Sequence, residues 1–121
     1  MKCFPYTVAV AAASYSGLIY SGSCWFVNFK LGMDNANDPQ ITVYDTIIAP
    51  VPGTDTELVP TNPYDASAMG LNGISQDESF ARRGIWLVVT AIGGGAYGGA
   101  ADITIGLWPA SVPASSIPTF G

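Results

Sequence analysis

The chain has 121 residues, of which 49% are apolar and only 11% charged, with a net charge of −5 and no histidine. That length suits one domain with its own core, and so little charge argues against disorder, which needs the opposite balance. Four basic residues, Lys2, Lys30, Arg82 and Arg83, are too few for a phosphate-binding surface, and the lack of histidine removes the side chain most used for acid–base work and transition-metal ligation.

The N-terminal stretch has a basic start, an apolar middle and small residues before Cys24, which faintly imitates a secretory or lipoprotein signal. Its apolar middle is short, Pro5 precedes it, and no aliphatic residue stands where a lipid-attachment box expects one. The stretch therefore reads as part of a mature chain made in a cytoplasm. Two cysteines, Cys3 and Cys24, fall far short of a disulfide framework and read as free thiols, with a single bridge as the alternative.

Phe4 to Ala13 is small and β-branched, with Val8 and Val10 on one face of an extended segment. Leu18 to Ser21 is a second short strand between Ser-Gly pairs. In Cys24 to Met33 a strict alternation places Trp25, Val27, Phe29 and Leu31 on one buried face, and Asn28 and Lys30 on the other. Asp34 to Pro39 is a turn, and Gln40 to Ile48 a strand with Ile41, Val43 and Ile47 inward and Thr42 and Thr46 outward. Ala49 to Asp77 reads as a loop-rich middle, with a brief strand at Thr56 to Val59 and one helical turn at Tyr64 to Met69.

Gly84 to Pro109 holds two apolar runs, Ile85 to Ile92 and Ile103 to Trp108, joined by glycines, and reads as a β-hairpin or a pair of neighbouring strands. The first run is apolar on both faces, so it is central in a two-layer stack or covered by another subunit. From Gly84 to Gly121 the only charge is Asp102. Seven to eight short strands with no sustained helical period predict an all-β chain, a single-domain antiparallel β-sandwich or jelly roll over residues 1–109. Residues 110–121, with two prolines and no charge, predict an extended C-terminal arm that lies on a neighbour or on its own sheet.

Several motifs dissolve on inspection. Gly93 to Gly98 matches a dinucleotide fingerprint in form, but a strand follows it where a helix N-terminus is needed. Gly84 to Ala101 has the length of a membrane helix, but six of its eighteen residues are glycine. Asp34, Asn35, Asn37 and Asp38 carry oxygens suited to calcium, although Ala36 and Pro39 break the EF-hand spacing, and a plain polar turn is the simpler account. Asp55 with Glu57, and Asp77 with Glu78, lie in polar loops rather than the apolar pocket a glycosidase acid requires. No enzymatic activity, cofactor or metal is expected.

The aromatics suggest more. Trp25, Trp86 and Trp108, with the tyrosines, suit a core, an interface or a sugar-stacking platform. A neutral run and an apolar arm left in water drive association, which singles out Arg82, Arg83, Trp86, Tyr97, Trp108, Val112, Ile117 and Phe120 as interface residues.

In its length, strand pattern, lack of histidine and Pro-containing arm, the chain resembles the capsid cement or decoration proteins of tailed bacteriophages. The resemblance implies a non-enzymatic protein, a homotrimer or homodimer, that clamps major capsid protein on the virion surface after synthesis in the host cytoplasm, without nucleic acid or membrane as partner. A carbohydrate-binding β-sandwich module on a virion or cell surface, with the tryptophans as platform and a glycan as partner, is the alternative.

Overall fold

The computed structural model describes residues 3–33, 37–64 and 71–111, leaving aside the side chains of 33, 62 and 71–78. Among these residues there are eight strands and no helix: β1 Phe4–Ala11, β2 Tyr15–Ser21, β3 Cys24–Met33, β4 Pro39–Tyr44, β5 Glu57–Pro63, β6 Leu71–Ala81, β7 Gly84–Ala91 and β8 Ala100–Pro109. They form two four-stranded antiparallel sheets, ordered β1-β8-β3-β6 and β2-β7-β4-β5. The first strand pairs with the eighth, the second with the seventh, the third with the sixth and the fourth with the fifth. This nested winding is the jelly-roll form of the sandwich, so the expected all-β class holds.

The core lies between the sheets. β3 contributes Phe26, Phe29 and Leu31, and β8 contributes Ile103, Ile105 and Leu107; facing them are Ile41 and Val43 of β4 with Ile85, Leu87 and Val89 of β7. β7 runs between β2 and β4, and β8 between β1 and β3, so both greasy runs are central strands.

They are not a hairpin, however. Gly84–Ala91 and Ala100–Pro109 belong to different sheets, and the glycine-rich connection carries the chain from one layer to the other. Gly93 and Gly94 take left-handed backbone there, at φ 89° and 92°, which β-branched residues resist. The connection continues into a strand, not into a helix. Among the described residues no helix is long and apolar enough to cross a membrane.

Three further expectations need correction. The alternation in β3 breaks at a bulge, where the register to both neighbouring strands shifts between Phe26 and Asn28. A single inserted residue inverts the facing of everything before it. Trp25 therefore points outward, and Phe26 takes the buried place. β4 ends at Tyr44, and Ile47, expected inward, is exposed while Thr46 is fully buried. Thr46 Oγ1 donates to the Ile48 carbonyl at 3.1 Å and accepts from the Ile48 amide at 3.3 Å, a local side-chain turn that a strand cannot make.

The loop-rich middle also holds more strand than expected: β5 extends to Pro63 and β6 begins at Leu71. The segment expected as a helical turn, 65–69, lies outside the described residues, and Tyr64 is not helical.

Candidate interaction surface

At one end of the sandwich the loop between β4 and β5 meets the turn between β6 and β7. Asp45 stands just beyond β4 and aims its carboxylate at that turn. Oδ2 accepts from the Arg82 amide at 3.0 Å, and Oδ1 from the Arg83 and Gly84 amides at 2.8 and 3.2 Å. Three successive amides converging on one point form a concave donor set suited to a carboxylate. The loop base closes through the Asp45 amide, which donates to the Thr56 carbonyl at 2.9 Å. Asp55 holds the far side: its Oδ2 accepts from the Val51 amide at 2.7 Å, and its Oδ1 lies 3.7 Å from the Arg83 guanidinium. Gly84 is required here, since a Cβ would strike the Tyr20 carbonyl and come within 2.8 Å of Ile47 Cγ2.

What these polar staples present is apolar. Residues 47–52 read Ile-Ile-Ala-Pro-Val-Pro, with Ile47, Ile48 and Val51 at 42, 62 and 55% exposure. Arg82 and Arg83 flank the loop and are exposed. An apolar loop that is already ordered loses little conformational freedom on binding, which favours association.

The same end carries a run of aromatic rings across the first sheet, one from each strand. Phe4 of β1 stacks on Trp108 of β8, with centroids 5.0 Å apart and planes at 16°. Trp108 pairs in register with Trp25 of β3, and Trp25 with Phe80 of β6, their rings edge to face at 5.1 Å. Phe4, Trp25 and Phe80 are each about two-fifths exposed, and Trp108 is buried. Hydrogen bonds from Gly22 to Arg83 and from Ser23 to Arg82 tie the β2–β3 turn to the β6–β7 turn, so row and loop share one rigid end.

The residues expected at an interface are thus divided. Arg82 and Arg83 flank the apolar loop, and Trp108 belongs to the row. Trp86 is on the other sheet, between Leu18 and Tyr44 in register, with Nε1 donating to Ser16 Oγ at 2.9 Å. The three tryptophans accordingly do not make one platform. Tyr97 is 1% exposed and plugs the opposite end of the core, its hydroxyl 3.4 Å from the Asn37 carbonyl, so it offers no surface to a partner. Val112, Ile117 and Phe120 lie outside the described residues, as do Asp34 and Asn35 of the turn considered for calcium. Among the described residues no group of three or more metal-ligating side chains comes together.

Cys3 and Cys24 are free thiols. Burial, with the nearby Asp45 charge adding to it, pushes the Cys24 thiol up to about 11. The Tyr44 phenol is likewise raised, by burial first and then by the charges of Glu57 and Asp55.

Comparison with known proteins finds no matching family model, no matching curated protein and no matching solved structure.

Proposed function

We propose that this chain is a non-enzymatic structural protein that docks on an assembled protein shell, as a capsid cement or decoration protein docks on major capsid protein. The observation that carries this reading is the stapled loop 45–56, whose exposed Ile47, Ile48 and Val51 lie beside the turn that carries exposed Arg82 and Arg83. Exposed apolar side chains held rigid at one end of a domain mark a contact surface, and the flanking guanidinium groups suit an acidic rim on the partner. The jelly roll recurs in viral shells, which supports the reading only by analogy. In this function the protein resides on the virion surface and assembles as a homotrimer or homodimer on the shell.

The test is co-sedimentation of the purified protein with capsid shells, alongside its mass in solution. Ile48→Asp and Val51→Asp are expected to abolish co-sedimentation while leaving the fold intact. Undiminished binding by both variants would sink the proposal.

A second reading, a carbohydrate-binding module, draws on the aromatic row, because exposed Trp25 gives a sugar ring a face to stack on. Its test is retention on glycan arrays, abolished by Trp25→Ala.

A further inference from the structure

An open sheet ends in two strands whose outer backbone groups lack a neighbour, and here those edges are β1 and β6 in one sheet and β2 and β5 in the other. Three of the four carry features that discourage edge-to-edge pairing. β5 holds Glu57, Pro60 and Pro63, β6 holds Asp77 and Glu78, and the register of β2 against β7 shifts between Leu18 and Tyr20. β1 is different. Its sequence, FPYTVAVA, has no charge, and it pairs with β8 in unbroken register from Phe4 against Leu107 to Ala11 against Ala100.

Two observations fix which backbone groups of β1 point away from β8. The Ala12 amide, one residue past the strand, donates to the Gly99 carbonyl at 2.8 Å, which sets the even-numbered amides toward β8. Pro5 has no amide hydrogen, and a proline in an edge strand belongs where the missing donor would face outward. Both assign the outward side to the Pro5 carbonyl and to the amides and carbonyls of Thr7, Ala9 and Ala11. Among the described residues no strand lies beyond them. The side chains of Pro5, Thr7, Ala9 and Ala11 are exposed and small, so they leave room for another backbone to approach. On the other face of the strand Tyr6 and Val8 are only half-buried against the core, as are Tyr15, Ile19 and Tyr20 of β2, and the Tyr6 and Tyr20 rings meet edge to face at 6.1 Å. The open side of the sandwich therefore offers backbone hydrogen bonds and an incompletely covered apolar seam together.

We propose that the edge of β1 pairs with β1 of a second copy of this chain, antiparallel about a two-fold axis at Ala9, so that two sheets become one continuous sheet. In that register Ala9 faces its own counterpart and Thr7 faces the partner's Ala11, and Pro5 is not called on to donate. Charge is what makes a second copy fit. A chain of net charge −5 repels itself, yet no residue from Cys3 to Phe29 is charged. The charge that β8 sets beside this edge is Asp102, opposite Ala9. Three strand spacings put the two copies of Asp102 about 14 Å apart, beyond the screening length of about 8 Å. Backbone bonds of this kind supply affinity without any specific pocket. The inference stands apart from the docking reading, because no residue of loop 45–56 takes part and its test contains no shell.

The test combines mass in solution with hydrogen exchange of the full chain over a concentration series. A mass of two chains is expected, with the amides of Thr7, Ala9 and Ala11 exchanging more slowly as concentration rises. Ala9→Pro removes the ladder bond that each copy donates at the axis and is expected to weaken dimerisation about tenfold. Circular dichroism checks that this variant keeps the fold, and the exchange pattern of the unaltered chain decides the matter where it does not. A chain that stays monomeric up to about 1 mM overturns the proposal. So does a dimer in which these three amides exchange freely, since it uses another surface. Protection of the same amides in a monomer, independent of dilution, overturns it in favour of an edge covered by the chain itself. A folded Ala9→Pro variant that dimerises undiminished also overturns it.

Discussion

The backbone amide of Arg83 donates to the Asp45 carboxylate at 2.8 Å, linking a loop of one sheet to a turn that crosses between the two. Arg82 and Gly84 donate to the same carboxylate. Asp45→Ala leaves three amides without this acceptor and is expected to cost about 2 kcal/mol, since a hydrogen bond to a charged group outweighs a neutral one. Asp45→Asn keeps one acceptor oxygen and is expected to cost about half as much. Urea unfolding midpoints measure both.

Arg83 and Asp55 make a pair in which the arginine is half exposed, and such pairs contribute little to stability. Arg83→Ala is expected to change stability by less than about 0.5 kcal/mol and, under the proposed function, to weaken co-sedimentation with capsid shells. Asp55→Ala also removes the acceptor for the Val51 amide, so a loss of about 1–2 kcal/mol is expected. The contrast between the two, read by chemical denaturation, separates the ion pair from the loop staple.

Much of this arrangement is legible in the sequence, and the parts that are not have specific physical reasons. The buried positions of Phe29, Leu31, Ile41 and Val43 follow from two-residue alternation. The facing of Trp25 does not, because a bulge adds one residue without leaving any composition signal. β6 escapes because polar residues dominate LNGISQDES and no apolar alternation marks it. The apolar loop looks like strand because its polar anchors, Asp45, Thr46 and Asp55, act through side-chain contacts to backbone distant in sequence or within the turn itself. Arg82 and Arg83 stand out as a pair, but only the fold shows that their turn meets the loop that carries Ile47, Ile48 and Val51.

Gly84 begins β7 against the Tyr20 carbonyl. Gly84→Ala forces either the backbone of β2 or the Ile47 side chain to shift, so a loss of about 1–3 kcal/mol is expected, as for other overpacked sites. Thermal unfolding followed by circular dichroism checks it.

The raised Cys24 thiol gives a pH dependence with a definite sign. Above about pH 9 the thiol ionises in the unfolded chain but stays protonated in the folded one, whose value is about 11. The unfolded state then binds fewer protons, so stability is fully present below about pH 9 and declines between about pH 9 and pH 11. Replacing Cys24 with Ala is expected to flatten this part of the stability curve, measured as the denaturation midpoint at each pH. Native alkylation is expected to label Cys3, which is part-exposed, well before Cys24.

Tyr97 closes the end of the core opposite the loop. Tyr97→Ala is expected to cost about 3–5 kcal/mol through the cavity it opens, whereas Tyr97→Phe, which keeps the ring and gives up long hydrogen bonds at 3.4 and 3.5 Å, is expected to cost less than about 1 kcal/mol. Equilibrium unfolding of the two variants distinguishes the role of the ring from that of the hydroxyl.

Nested pairing also sets an order of assembly. Only β4 and β5 are neighbours both in the chain and in a sheet, and each pair outward from them, β3 with β6, β2 with β7 and β1 with β8, closes a longer stretch of chain. Loop-closure entropy grows with every step, so folding is expected on the millisecond-to-second scale of all-β domains, and it starts from the middle. During synthesis β1 emerges first yet must wait for β8, whose register runs from Phe4 against Leu107 to Ala11 against Ala100. Until the ribosome releases that final strand, the first sheet lacks the member that joins β1 to β3 and β6, and the nascent chain holds its apolar N-terminal strand unpaired.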